Sequence, residues 1–168
     1  MKIRLKTLWH VPVFCMAASW VSFWATAYLG GFFFVTQTTN ADGIIEASAD
    51  PARSLIFSGV LFLIALLVGG LWCFRSMTKA EIAVSAAIIS VIYLSVVLSQ
   101  LLWIGFPVQL SLKLSHFQAF TSFLASCLFK MTSLFEFSVI TACFAPFLFI
   151  PFGKKRPDEA KTPSEPCE

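Results

Sequence analysis

The sequence predicts an all-α membrane protein: a four-transmembrane-helix antiparallel bundle with both termini in the cytoplasm. Three observations predict it. Hydrophobic residues make up 58% of the 168 residues and charged residues 12%, against about 45–50% and about 25% in a soluble domain. Four apolar runs are each long enough to cross a hydrocarbon core about 30 Å thick. Nine of the 12 basic residues then fall on one side of the alternation that four crossings impose, and the positive-inside rule makes that side cytoplasmic.

Residues 1–10 form a basic N-terminus with Lys2, Arg4 and Lys6. The first crossing follows at 11–35 without a charge. Ala25-Thr26-Ala27 resembles a signal-peptide cleavage site, but the apolar run continues through Gly30 to Val35, so an uncleaved helix is expected. Cys15, Ser19, Ser22, Thr26 and Leu29 recur at spacings of four and three, a stripe of small and hydroxyl groups suited to packing in lipid. Residues 36–51 read as a polar connection with a turn at Asp42-Gly43. Asp50 followed by Pro51 marks a helix start, carboxylate at the cap and proline at the first position.

The second crossing is expected at 52–74, with Ser58, Phe62, Ala65, Gly69 and Trp72 on one face. Three residues, Arg75 to Met77, lead into the third crossing at 80–106. Thr78 and Glu81 form a capping box at its start, and Gly105 and Pro107 mark its end. Ala83, Ala86, Ser90, Tyr93, Val97, Gln100 and Ile104 alternate spacings of three and four, a heptad seam.

Residues 107–130 read as an outer loop plus an interfacial helix. Val108, Leu110, Leu112 and Leu114 alternate with polar residues, which suggests an extended segment or irregular loop. Phe117 to Phe129 reads as helix lying at the interface, with His116 at the surface. The fourth crossing is expected at 131–151, bending at Pro146, with Lys130 snorkelling at its border. Residues 153–168 are a polar tail whose composition predicts a disordered cytoplasmic segment.

Composition and motifs bound the function. No basic stripe with interleaved aromatics points to nucleic acid. The five cysteines (Cys15, Cys73, Cys127, Cys143 and Cys167) show no metal-ligand or C-x-x-C spacing and read as small buried hydrophobes. There is no H-E-x-x-H or G-x-S-x-G motif, so no enzyme, metal or cofactor is expected. Glu136 is the one carboxylate inside a predicted crossing, which makes it a candidate site by default. With Gln100 and Tyr93 it would form a polar cluster open toward the outer leaflet, joined by Ser19, Ser22 and Thr26. The expected partners are the lipid bilayer and either a membrane protein or further copies of this chain, and the expected role is a non-enzymatic accessory or assembly subunit. The alternative is a small transporter or ligand-binding protein built on Glu136. The expected setting is a plasma membrane, of bacterial type from the look of the Met77–Ala87 stretch.

Overall fold

A computed structural model describes residues 7–39, 45–102 and 108–154. The chain is mostly helical, and four of its helical stretches are long and apolar enough to cross a membrane: His10–Phe33, Pro51–Cys73, Lys79–Leu102 and Phe135–Phe152. The first of these is helix α1, His10–Phe33. Strands β1 (Val35–Thr39) and β2 (Ile45–Ala49) follow. They pair antiparallel from Val35 opposite Ala49 to Thr39 opposite Ile45. The connection expected over 36–51 is thus a β-hairpin. Its β-branched residues on both sides of Asp42-Gly43 favour that outcome, and the turn itself lies outside the described residues.

Helix α2 spans Pro51–Val68. Asp50 caps it as its sequence predicts: the carboxylate accepts from the backbone N–H of Ala52 at 2.9 Å and of Arg53 at 3.3 Å. The last part of this apolar stretch is a π-helical turn, Gly69–Cys73. Close aromatic rings leave no room for a side chain at the glycines there. A Cβ at Gly69 would stand 2.7 Å from the Phe14 ring and 2.8 Å from the Phe149 ring, and one at Gly70 would stand 2.5 Å from the Phe152 ring.

Helix α3 spans Lys79–Leu102. Its capping box is reciprocal. The Thr78 backbone N–H donates to the Glu81 carboxylate at 3.0 Å, and the Glu81 N–H donates to the Thr78 hydroxyl at 3.3 Å. Within the seam, Ala86, Ser90, Tyr93 and Val97 are buried. Gln100 and Ala83 are half-buried, and Ile104 lies outside the described residues.

The structure corrects the reading of 107–115 from Val108 onward, Pro107 lying outside the described residues. Helix α4 runs without interruption through Val108–Thr132. Leu, Gln and Lys favour helix over strand, and among the described residues no strand pairs with this segment. Leu110, Leu114, Phe117 and Leu124 also recur at helical spacing, a signal that the alternation of Leu with polar residues masked. Helix α4 packs on α1 and α2, with Phe120 and Thr121 buried, so it shares the packed core rather than lying apart as a surface helix. His116 stacks on Phe23 with ring centroids 3.7 Å apart instead of standing free at the surface.

Ser133, in the left-handed region at φ 56°, and Leu134 reverse the chain into α5, Phe135–Ala142. The Thr132 hydroxyl accepts the Leu134 N–H at 3.3 Å and lies 3.2 Å from the Ser138 hydroxyl, which ties the two helices at the turn. A 3-10 helix, Ala145–Phe152, completes this apolar stretch, with Pro146 near its start. The bend expected at Pro146 is therefore a change of helix type.

The core joins the elements through aromatic rings. Phe149 meets Phe14 at 5.7 Å, Phe74 at 4.9 Å and Phe120 at 5.9 Å, and Phe120 stacks on Phe62 at 5.0 Å. Pairs of this kind each contribute about 0.5–1.5 kcal/mol beyond their area. At one end, Lys154 donates its N–H to Met77 O at 2.9 Å and accepts from Lys79 N at 3.3 Å. The Ser85 hydroxyl donates to Leu8 O at the same end. The start of α1, the start of α3 and the end of the 3-10 helix therefore meet.

Candidate functional site

Tyr93 stands where α1, α3, α4 and α5 converge. It is 2% exposed, and its place on the α3 seam turns it inward. Cys15 and Ser19 of α1 approach it from one side and Cys143, just past α5, from another. The Ser19 hydroxyl already accepts the backbone N–H of Phe120 at 3.2 Å. It lies beside the Tyr93 hydroxyl at a geometry short of a hydrogen bond. Among the described residues, three buried polar atoms have no partner: the Tyr93 hydroxyl, Ser90 Oγ and Gln118 Nε2. Leaving such a group unpaired costs about 1–3 kcal/mol each.

Tyr93 and Gln118 line one cavity of about 140 Å³ together with Met16, Ile89, Ile92, Val96, Leu114 and Phe117. A second recess, of about 200 Å³, lies among α1, α2 and α4 and is lined in part by Ser22, Thr26, Ser58 and Ser122. In both, residues far apart in sequence meet through α4. The spacing of four puts Gln118 and Ser122 on one polar face of a helix, and read as interfacial that helix assigned them to no site.

The three expected site residues fare differently. Tyr93 is at the centre of the buried cluster. Gln100, two turns further along α3, is half-buried. Glu136 is exposed, in the first turn of α5. Among the described residues, no hydrogen bond or ion pair joins Glu136 to either of the others. A carboxylate in a first turn is favoured by the helix dipole. The last helical stretch long and apolar enough to cross a membrane begins at Phe135, so Glu136 stands in its first turn.

Cys15 and Cys143 are buried as small hydrophobes, Cys127 is half-buried and Cys73 is exposed, all with free thiols. Cys167 lies outside the described residues. Among those residues, no group of three His, Cys, Asp or Glu could hold a metal ion.

Compared with protein-family models, with curated proteins and with solved structures, the chain matches none.

Proposed function

We propose that this chain is a non-enzymatic membrane component, an accessory or assembly subunit of a plasma membrane that works by packing against another membrane protein. In this reading the four crossings alternate in direction and both ends of the chain face the cytoplasm. The joining of Lys154 to Met77 and Lys79, with Leu8 bound to Ser85, supports a shared side for the two ends.

The observation that carries the partner is the recess between α1, α2 and α4. The inner part of the α1 stripe is already covered, since Cys15 and Ser19 are buried. The outer part is not: Ser22 is half-buried and Thr26 exposed. Three hydroxyls of the recess donate to their own helices, Thr26 to Ser22 O at 2.9 Å, Ser58 to Ser54 O at 2.9 Å and Ser122 to Ala119 O at 2.7 Å. Their oxygens keep lone pairs for a donor on an incoming helix, and their small size lets its backbone come close.

The test is native mass spectrometry after gentle extraction from the source membrane. The expected result is a stoichiometric protein partner, or a second copy, that is lost when Thr26 and Ser122 are both changed to Leu. A bare monomer from the wild type would contradict the reading. A second reading, a transporter or ligand-binding protein, draws support from the unpaired hydroxyl of Tyr93. If Glu136 and Gln100 serve it, uptake that is coupled to protons is lost in Glu136→Gln.

A further inference from the structure

Two opposite faces of α1 complement each other. Trp20 and Trp24 lie in the middle of this 24-residue helix and are 59% and 40% exposed. Their rings stand edge to face at 6.1 Å, and Trp24 stacks on Tyr28 at 5.3 Å, so the three rings form a ladder. Val21, Ala25 and Leu29 complete a shallow groove beside it. Tryptophan favours the membrane–water interface, where its N–H finds a partner. In the middle of a bilayer only protein can supply one. Among the described residues no hydrogen bond engages either indole N–H.

The recess of Ser22, Thr26, Ser58 and Ser122 lies on the other side of α1. Trp20 and Ser22 are two residues apart, as are Trp24 and Thr26, which is about 200° round a helix and about 3 Å along it. The ladder and the recess therefore stand back to back at one depth. The hydroxyls of Thr26, Ser58 and Ser122 donate to carbonyls of their own helices and present their lone pairs as acceptors. Thr26 and Ser122 are exposed at the mouth of the recess. One face thus offers donors that lack acceptors, and the other offers acceptors whose own hydrogens are engaged. No charged side chain lines either one.

A second copy of the chain supplies both halves. Copies related by rotation about the membrane normal share one depth, so the indoles of one meet the hydroxyls of the next without a vertical shift. Lipid tails at that depth offer no acceptor.

We infer that copies of this chain associate head to tail, the Trp20 and Trp24 face of one seated in the hydroxyl recess of the next, with indole N–H groups donating to hydroxyl oxygens. The inference rests on the recess being a packing surface, and it names the partner. Because the two faces differ, the contact is heterologous and adds copies in one direction until a ring closes.

The test uses the full chain in its own membrane, on a background lacking the native cysteines. Val21 and Ser122 are changed to Cys, singly and together, and oxidised with copper phenanthroline. The expected result is a ladder of dimers and higher species from the double variant and monomer from each single variant. Ala25→Cys with Leu61→Cys is a second pair of the same design, for use if the first does not fold. Adding Trp20→Phe and Trp24→Phe keeps the aromatic rings and removes the donors, and is expected to lower the crosslinked fraction about 3- to 10-fold. Absence of a ladder from both pairs overturns the inference. So does a dimer formed by a single-cysteine variant, which marks a symmetric contact, or a ladder that the Trp→Phe changes leave intact. Native mass spectrometry of the wild type separates this inference from the reading beneath it. One copy bound to a different membrane protein overturns the self-contact and keeps the accessory role, whereas a bare monomer overturns both.

Discussion

At Gly69 a single methyl group would collide with two aromatic rings of the core, those of Phe14 and Phe149. Gly69→Ala is therefore expected to destabilise the bundle by about 1–3 kcal/mol through overpacking. A lower melting temperature in detergent or nanodiscs checks it, and an unchanged one would show that the rings move aside freely. Asp50→Ala removes the acceptor for two N–H groups at the start of α2 and is expected to cost about 1 kcal/mol, with Asp50→Asn close to wild type. These two sites differ in how well the sequence announces them. The caps at Asp50 and Thr78 span two or three residues, so an N-cap before proline and a T-x-x-E box are readable without a fold. The seam around Tyr93 was readable as well, because helical periodicity alone turns Ala86, Ser90, Tyr93 and Val97 to one side. The contact of Gly69 with Phe149, 80 residues away, and the meeting of Tyr93 with Gln118 depend on how helices pack, which local spacing does not encode.

At the scale of the element, the turn between α4 and α5 is the most constrained joint. Ser133 holds a backbone conformation that L residues adopt at a cost, and the hydroxyls of Thr132 and Ser138 brace it from both sides. Ser133→Val is expected to destabilise by about 1–2 kcal/mol, because a β-branched side chain suits that conformation least. Ser133→Gly is expected to be neutral or stabilising. Unfolding temperatures of the two variants, read against wild type, check both. Helix α4 makes a second prediction. If residues 113–132 are helical and packed, their amides exchange slowly with deuterium. An extended segment or loop over 113–115 would exchange within seconds.

The elements that the sequence obscured share a physical cause. The run from Val108 to Leu114 carries two periods at once, and the period of two was the more visible. The β-branched residues around Asp42-Gly43 sit in a polar stretch with no apolar alternation to announce strands, and pairing across the two strands makes the hairpin. The π turn at Gly69 and the 3-10 helix at Ala145 are local adjustments that accommodate Phe14, Phe149 and Phe152, and no hydrophobic period reports such a change.

For the whole molecule, four helical stretches are long and apolar enough to cross a membrane, and Leu8 with Ser85, and Met77 and Lys79 with Lys154, join residues from near the two ends of the described chain. On the proposed reading, four crossings put both ends on one side, and the basic residues predict that side to be the cytoplasm. On that account β1–β2 and the Ser133 turn lie outside, while Ser76 and Lys154 lie inside. Glu136, at the edge of the last crossing, then sits near the outer headgroups. There its charge costs much less than the about 2.5–3.5 kcal/mol of a position at the bilayer centre.

The most direct measurement is single-cysteine labelling in intact cells with a maleimide that does not cross membranes, on a background lacking the native cysteines. Cysteines placed at Gln37 and Ser133 are expected to label without permeabilisation. Those at Ser76 and Lys154 are expected to label only after it. Labelling of Lys154 together with Gln37 in intact cells would contradict a four-crossing bundle with both ends in the cytoplasm.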